Sequence, residues 1–358
     1  MPAIDKLFDQ LLAKGASDLH LSVGYPPMTR VRGDLVAMGS VELTPDALTE
    51  LLLPILLPSQ REIFEAERDL DFAYAYGSRA RFRASYFQKA SGIAAVFRSI
   101  PIKIPSLADL GAADSVKALA SRTAGLVLVT GPSGSGKSTT LAAMVRHVNE
   151  TRPCHVLTIE DPIEFVHAPQ KAQVTHREIG QHASTLAAAL ESAAREDANV
   201  VLIGELRDAD STRLSLALAG AGVLVLATVH ASSAPLAVER VANAFPEAEQ
   251  AHVRAMLAEC LLGVISQELL RGAEGQGRVM AQEILITTPP IAAMIREGKT
   301  RDVASAMQAG RALGMQTLDM ALERLVQQRR VTYDVALERY SDRENAEKKL
   351  KPMKAGGP

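Results

Sequence analysis

The 358-residue chain lacks long apolar runs, and it has two cysteines. The apolar run at 51–57 is interrupted by Pro54 and is far too short to span a membrane. The first residues carry charge where a signal peptide needs an apolar segment. Two cysteines cannot form a four-cysteine zinc site, and Cys154 and Cys260 lie in apolar stretches typical of core residues in a reducing compartment. These absences predict a cytoplasmic protein without direct membrane insertion.

The chain also lacks an excess of charge of one sign. Its formal net charge is -2 and its isoelectric point is near 6.5, so electrostatics give no reason to expect a nucleic-acid partner. A hydrophobic content of 47% with 22% charged residues indicates a folded globular protein. At this length, the expectation is about two domains, each with its own core.

A complete phosphate-binding loop is the most informative feature that is present. The run Gly131-Pro132-Ser133-Gly134-Ser135-Gly136-Lys137-Ser138 fits the pattern G-x-x-x-x-G-K-[ST], and an apolar run stands directly before it at 126–129. The glycines let backbone N–H groups point at phosphate oxygens, and the following helix presents its positive end to the same anion. Lys137 supplies a cation for the β and γ phosphates, and Ser138 a hydroxyl for Mg²⁺. The chain is predicted to bind a nucleoside triphosphate.

The pattern of strands and helices divides the chain. Residues 1–100 have short alternating strands and an amphipathic helix, which predicts an N-terminal α+β domain. The prolines near residue 101 favour an extended linker over 101–112. From 113 to 340 apolar strands alternate with helices, as in a parallel sheet covered on both faces, and the part after Ala234 reads as mainly helical with one strand at 279–286. The lysine-rich end, 341–358, is predicted to be disordered.

Acids and a histidine follow the apolar strands of this α/β region. Glu160, Asp161 and Glu164 come after one strand, Glu205 after the next, and His230 closes a third. Carboxyl ends of parallel strands meet at one edge of the sheet, where ligands bind. Any one of these acids alone could be a solvated loop residue, and a lone histidine is often a bystander. Spacing does not decide which acid would activate water.

Arginines in the N-terminal region form a third group. Arg81 and Arg83 share one face of an alternating strand, and Arg98 follows on another. Arginines on strand faces are commonly surface residues. A guanidinium from a separate domain or subunit can also stabilise charge on a transferring phosphoryl group.

Several of these motifs, in this order, make the chain resemble the PilT family of type IV pilus retraction ATPases, within the secretion ATPases. The resemblance runs from about residue 4 to 340. The motifs that carry it are Ala16-Ser17-Asp18-Leu19-His20-Leu21, the phosphate loop, Ile159-Glu160-Asp161-Pro162-Ile163-Glu164, Gly204-Glu205-Leu206-Arg207-Asp208, Thr228-Val229-His230 and Leu313-Gly314-Met315-Gln316-Thr317-Leu318-Asp319.

The resemblance implies a fold, a cofactor and an assembly. The fold would be α/β, a RecA-like P-loop NTPase domain with an N-terminal α+β PAS-like domain, in a homohexamer with ATP and Mg²⁺ between domains and subunits. The residues implied to hold the nucleotide are Gly131, Ser133, Gly134, Ser135, Gly136, Lys137, Ser138 and Thr139.

The resemblance also implies roles for the acids, the histidine and the arginines. Glu164 would be the general base for the attacking water, and Glu205 the Walker B acid that, with Ser138, holds Mg²⁺ through water. His230 would lie near the γ phosphate. Arg83 and Arg98 are similar to N-terminal arginines that reach the nucleotide.

The implied activity is ATP hydrolysis coupled to domain rotation that powers pilus retraction and twitching motility. The implied partners are an inner-membrane pilus platform protein and a paralogous retraction ATPase, and the implied location is the cytoplasmic face of the inner membrane at the pilus base. An assembly ATPase of pili or type II secretion is the nearest alternative, but such proteins generally carry a four-cysteine zinc element.

Three departures from the family pattern leave a further alternative open. Ala219-Gly220-Ala221-Gly222-Val223 stands where an acid and a histidine are usual, the segment 290–297 lacks the first arginine of the retraction motif, and Lys89-Ala90-Ser91 replaces a family arginine pattern. An accessory, PilU-like subunit that binds ATP and docks on another motor is therefore the second interpretation.

Overall fold

The computed structural model describes residues 4–31, 33–273 and 277–355, and it divides the chain into two units. The first unit comprises Met1–Lys103 together with Asp161–Val166, and the second comprises Ile104–Glu160 with His167–Pro358. The division falls inside the linker predicted at 101–112. The assignment of 161–166 to the first unit was not foreseen, because in sequence this segment directly continues an apolar strand of the second.

The first unit is an antiparallel sheet with three helices. The sheet has the order β3-β2-β1-β6-β5-β4. Its helices are α1 (Asp5–Ala13), α2 (Pro45–Leu52) and α3 (Pro58–Glu67), and its strands are β1 (Asp18–Ser22), β2 (Met28–Val31), β3 (Asp34–Ala37), β4 (Asp69–Tyr76), β5 (Ala80–Lys89) and β6 (Gly92–Ile100). Val31 pairs with Asp34, as the predicted hairpin turn at Gly33-Asp34 requires, although Arg32 lies outside the described residues.

Aromatic rings form the core of the first unit. Strand β5 alternates, with Phe82 and Tyr86 fully buried and Arg83 on the other face. Phe8 of helix α1 stacks on Phe82 with ring centroids 4.2 Å apart, and it meets the edge of Phe97 at 5.1 Å. The period-two pattern therefore directs Phe82 and Tyr86 to the core and Arg81 and Arg83 away from it.

The second unit is built on a seven-stranded sheet in the order β13-β12-β7-β11-β10-β8-β9. All neighbouring strands run parallel except β13, which is antiparallel to β12. Its strands are β7 (Gly125–Thr130), β8 (His155–Glu160), β9 (Gln173–Glu178), β10 (Val200–Ile203), β11 (Leu224–Thr228), β12 (Leu261–Arg271) and β13 (Arg278–Ile286).

Helices cover both faces of this sheet. Along β7, Leu126 and Leu128 enter one hydrophobic cluster, while Val127 and Val129 enter another. This alternation, with both sets buried, is what a central parallel strand requires. The helices are α4 (Asp114–Ala120), α5 (Lys137–Thr151), α6 (Leu186–Ala193), α7 (Ala209–Gly220), α8 (Ala234–Asn243), α9 (Glu247–Cys260), α10 (Pro289–Arg296), α11 (Thr300–Ala309), α12 (Leu318–Gln327), α13 (Tyr333–Leu337) and α14 (Arg343–Ala355).

Strands β9 and β12 were not predicted. Helix α9 ends at Cys260 and β12 begins at Leu261, with no glycine or proline between them. The apolar sequence therefore reads as one continuous helical stretch, and only pairing of Leu261–Arg271 with β7 and β13 distinguishes the strand.

The predicted disordered tail at 341–358 needs correction, because helix α14 occupies Arg343–Ala355. Ala346 and Leu350 are fully buried in a cluster with Leu322 and Leu325 of α12. Two apolar side chains one helical turn apart are enough to hold a lysine-rich helix against its neighbours, although its composition favours disorder. Residues 356–358 lie outside the described residues. Across the described part of the chain, none of the helices combines the length and apolarity that a membrane span requires.

We expect Phe8→Ala to destabilise the first unit by about 3–5 kcal/mol, because it removes a fully buried ring that contacts Phe82 and Phe97. Urea unfolding of the full chain, followed by near-ultraviolet circular dichroism, measures this effect, since without tryptophan the signal comes from phenylalanine and tyrosine. Phe87→Ala is the matched control, because this ring on the same sheet is 38% exposed. Equal losses for the two variants would contradict the packing described here.

Candidate functional site

The phosphate loop joins the end of β7 to the start of α5. Gly131, Gly134 and Gly136 have φ values of 137°, 75° and 87°, which other residues rarely adopt. A Cβ atom at Gly131 would lie 2.2 Å from the carbonyl oxygen of Gln267 on β12. Gly131 is therefore required both by its backbone angle and by the close approach of a neighbouring strand.

The loop presents its polar groups at the beginning of α5. Lys137, the first residue of this helix, donates from Nζ to the carbonyl oxygens of Gly131 and Pro132, each at 3.0 Å. Ser138 and Thr139 follow on the first turn and are partly exposed, and the loop residues Ser133 and Gly134 are exposed. A helix N-terminus together with a lysine beside it is suited to bind an anion.

Gln267 supports the loop from beneath. Its side chain is buried, its Nε2 donates to the carbonyl oxygen of Ser135 at 2.8 Å, and its Oε1 accepts from Thr140 Oγ1 at 2.9 Å. One amide therefore ties the loop to the first turns of α5. Gln267 could not be identified from the sequence, because the pattern around it predicts a mainly helical region.

Glu205 and His230 meet at the ends of two adjacent strands. Glu205 follows β10 and His230 follows β11, and His230 Nε2 lies 3.0 Å from Glu205 Oε1. Arg207 Nε donates to the other carboxylate oxygen, Oε2, at 3.0 Å. The predicted convergence of these two residues at the carboxyl edge of the sheet is thus observed, with Arg207 as an additional member.

The segment after His230 is tied to β7. Thr130, the last residue of β7 and fully buried, donates from Oγ1 to the carbonyl oxygen of Ala231 at 2.8 Å and accepts from the Ala231 N–H at 2.8 Å. Since Thr130 directly precedes the phosphate loop, this pair of bonds fixes the histidine segment beside it.

The remaining predicted residues belong to the first unit. Glu164 lies in the segment 161–166, with Oε1 3.9 Å from Arg83 Nη1. Arg83 Nη2 also donates to Asp71 Oδ2 at 3.0 Å. Arg98 Nε donates to Asp18 Oδ1 at 2.8 Å. Both arginines are therefore held by carboxylates of their own unit.

Asp18 is a buried carboxylate with two donors. Burial acts to raise the pKa of its carboxyl group, but hydrogen bonds from Ser17 and Arg98 outweigh this effect and hold the pKa below its ordinary value. Asp18 is therefore charged at neutral pH and keeps Arg98 in place.

The donors near the loop suit Mg²⁺ better than a transition metal. Within the described ranges, no group of three or more His, Cys, Asp and Glu side chains could hold a metal ion. Mg²⁺ bound with a nucleotide needs few protein ligands, since phosphates and water complete its shell. The hydroxyl of Ser138 and the carboxylate of Glu205 are oxygen donors of the kind it prefers.

A parallel sheet with a phosphate loop after its central strand, and an acid and a histidine at neighbouring strand ends, defines a P-loop nucleoside triphosphatase. The chain belongs to the type II/IV secretion system protein family, whose model matches residues 1–354. This confirms the predicted fold class, and the chain is an ATPase of this family.

Individual relatives extend over nearly the whole chain. A type IV pilus retraction ATPase, PilT, of Pseudomonas aeruginosa is 46% identical over 93% of this chain and 96% of its own length. The type IV pilus ATPase PilU of the same organism is 35% identical over 93% of this chain and 87% of its own. The crystal structure of the pilus retraction motor PilT with bound ADP has a TM-score of 0.87 at 38% identity, covering 96% of this chain and 99% of the other. The resemblance to the PilT family is confirmed.

We expect Lys137→Ala to abolish ATP hydrolysis and weaken nucleotide binding, because it removes the cation at the start of α5. Turnover of the purified variant at saturating Mg-ATP and binding of a fluorescent nucleotide measure the two effects. Lys117→Ala, an exposed lysine on α4, is the control and should match the parent chain. Near-normal turnover of Lys137→Ala would exclude this loop as the site of hydrolysis.

We also expect Gln267→Leu to weaken nucleotide binding, because it leaves the Ser135 carbonyl and the Thr140 hydroxyl without their partner. Losing such buried partners costs about 1–3 kcal/mol, so the dissociation constant should rise measurably by titration calorimetry. Gln282→Leu is a matched control: Gln282 pairs opposite Gln267 on β13 and is buried, but its amide nitrogen has no partner. Equal effects on binding from both variants would show that Gln267 does not act through the loop.

Proposed function

We propose that this chain is an ATP-hydrolysing motor that powers retraction of type IV pili. The observation that carries the proposal is the complete phosphate loop beside the Glu205–His230 pair, in a chain that matches a pilus retraction ATPase over nearly its full length. The loop supplies nucleotide binding, Glu205 supplies a carboxylate to hold Mg²⁺ through water, and His230 supplies a side chain near the γ phosphate.

The residues of the loop hold the nucleotide. Backbone N–H groups of the loop and of the first turn of α5 would bind the phosphates, Lys137 would exchange its bonds to the loop carbonyls for phosphate oxygens, and Ser138 would provide a hydroxyl for Mg²⁺. Glu205 would hold the metal through water. When bound, Mg²⁺ neutralises charge on the phosphates and so lowers the barrier to displacement.

Glu164 is proposed as the general base and Glu205 as the acid beside the metal. Both oxygens of Glu205 are engaged, one by His230 and the other by Arg207, which suits an orienting role. The base role of Glu164 is carried over from the motif Ile159-Glu160-Asp161-Pro162-Ile163-Glu164, in which it is the last residue. A carboxylate in this role positions a water and takes its proton.

Arg83 and Arg98 are proposed to stabilise the charge that develops on the γ phosphate. Each now pairs with a carboxylate of the first unit, Arg83 with Asp71 and Arg98 with Asp18. Each guanidinium must therefore exchange a carboxylate for a phosphate when a nucleotide is bound. Such an exchange couples the nucleotide state to the position of the first unit.

The assembly and location are part of the same proposal. The motor is a homohexamer in the cytoplasm, peripheral to the inner membrane at the pilus base, and it acts on a platform protein in that membrane. A paralogous retraction ATPase is a further partner.

A second candidate is an accessory ATP-binding subunit of the PilU type that docks on another motor. It is favoured by the three sequence departures, at 89–91, 219–223 and 290–297. The higher identity to PilT than to PilU supports the principal motor. An assembly ATPase is the third and least favoured candidate.

We expect Glu164→Gln and Glu205→Gln to fail in different ways. Glu164→Gln should bind ATP but slow the chemical step by roughly 10² to 10⁴-fold, because an amide cannot take a proton from water. Glu205→Gln should shift the Mg²⁺ concentration needed for half-maximal activity more strongly. Single-turnover hydrolysis over a magnesium series separates the two effects.

The control for this pair is Glu65→Gln, which alters an exposed ion pair with Arg61 on α3. It should leave both the rate and the magnesium dependence unchanged. An unchanged maximal rate in Glu164→Gln would assign the base to another residue, with Glu205 next in order.

Deletion of the gene in its host tests the biological role. A principal retraction motor predicts cells with excess pili that do not retract, whereas an assembly ATPase predicts bald cells. For the accessory subunit we expect the purified protein to hydrolyse little ATP alone, and turnover measured with and without the paralogue decides between the first two candidates.

A further inference from the structure

Glu283 on β13 lies at the N-termini of two helices. The backbone N–H of Ala234, the first residue of α8, donates to Glu283 Oε1 at 2.5 Å. The backbone N–H of Leu318, the first residue of α12, also acts on this carboxylate by stabilising its charged form. A carboxylate is favoured at either site, since helix N-termini carry unsatisfied donors and positive partial charge.

In both helices, a hydroxyl of the preceding residue accepts from one of the first backbone N–H groups. Ser233 caps α8 by accepting from the N–H of Leu236 at 3.4 Å, and Thr317 caps α12 by accepting from the N–H of Met320 at 3.3 Å. In each helix the hydroxyl accepts from the N–H of the third residue. Glu283 accepts from the first N–H of α8, and the first N–H of α12 stabilises the charge on the same carboxylate.

The bond between Glu283 and Ala234 is one of three contacts that hold the segment after His230. Thr130, Ser266 and Glu283 stand opposite one another on the adjacent strands β7, β12 and β13. Thr130 bonds Ala231 at 2.8 Å, Ser266 Oγ donates to the Ser232 carbonyl at 3.4 Å, and Glu283 bonds Ala234. The row holds the segment 231–234, which directly follows His230.

Ahead of α12, strand β13 also contacts the sequence motif at 313–319. Gln316 forms an isolated bridge with Ile284, with hydrogen bonds of 2.8 and 3.1 Å, and its Nε2 donates to the Gln282 carbonyl at 2.6 Å. The motif therefore adds to β13 around Glu283 and leads into α12. No role was assigned to this motif in the chemistry proposed above.

We propose that Glu283 is a positioning residue for His230, and that it couples the placement of α12 and the 313–319 motif to the nucleotide edge of the sheet. The inference rests on the proposed role of His230. Because Glu283 bonds the first residue of α8 and lies between Gln282 and Ile284, which hold Gln316 ahead of α12, a displacement of α12 alters the anchor of the segment that follows the histidine.

The electrostatics of Glu283 agree with this geometry. Burial raises the pKa of its carboxyl group, while the N–H groups of Ala234 and Leu318 act in the opposite direction by stabilising the charged form. The two helix ends thus offset part of the penalty for burying the carboxylate.

The test compares Glu283→Ala, His230→Ala and the double variant in steady-state ATP hydrolysis by the full chain. We expect Glu283→Ala to lower kcat by up to roughly 10²-fold, as a misplaced catalytic group can, with little change in KM because the phosphate loop is untouched. Combined with His230→Ala, it should have no further effect on kcat. Where the alanine variant does not fold, Glu283→Gln keeps the volume and one acceptor oxygen and should show a smaller loss in the same direction.

A structural readout accompanies the kinetics. Amide exchange in peptides covering 231–237 and 314–321 should increase together in Glu283→Ala. Glu323→Gln is the matched control, since Glu323 on α12 accepts from Tyr340 at 2.6 Å and Lys349 at 3.0 Å but does not contact α8 through any bond described here. It should leave exchange at 231–237 and kcat unchanged.

The possible outcomes test the role of His230 and the role of Glu283 separately. A His230→Ala variant with normal kcat would remove the proposed role of the histidine. If His230→Ala is impaired but Glu283→Ala retains normal kcat, or if the two effects simply multiply, the positioning role of Glu283 is wrong. Increased exchange at one helix alone would contradict the shared anchor.

Discussion

Close packing of β7 against β12 is the constraint on which the site depends. The carbonyl oxygen of Gln267 comes so near to Gly131 that no side chain fits there, and the buried amide of Gln267 then reaches the loop at Ser135 and the helix at Thr140. The loop is thus held from beneath by a strand that makes no contact with a nucleotide in the proposed mechanism. A preformed loop binds an anion more tightly than a flexible one, because less ordering is needed on binding.

The same sheet edge brings together groups that are distant in sequence. Glu205 and His230 meet because β10 and β11 are adjacent and parallel, and Thr130 meets Ala231 because β11 lies beside β7. Each polar contact is made at a strand end, where the backbone leaves the sheet and side chains become accessible. Behind this edge, Ser266 and Glu283 extend the polar row toward the C-terminal helices.

The arginines of the first unit are stabilised in a different way. Arg83 and Asp71 are 37% and 43% exposed, and such an exposed pair contributes about 0–1 kcal/mol. Arg98 is itself 67% exposed, although its partner Asp18 is buried. Exchange of the Arg83–Asp71 pair for contacts to a phosphate therefore requires little free energy, whereas release of Arg98 would remove a donor from the buried Asp18 carboxylate and cost more.

The sequence by itself determined the phosphate loop and the alternation of apolar strands with helices from β7 to β11. It also placed acids and a histidine directly after apolar strands. These features depend on local periodicity and on spacing along the chain. Strand β12 could not be predicted, since no local signal separates it from α9 at Leu261. The contacts of Gln267 and the row formed by Thr130, Ser266 and Glu283 therefore could not be predicted either. The prediction of disorder at 341–358 was wrong, because the few apolar residues of α14 are buried only by packing against α12. Tertiary structure decided these features, because a strand register or a shared helix cap is defined by a neighbour that lies far away in sequence.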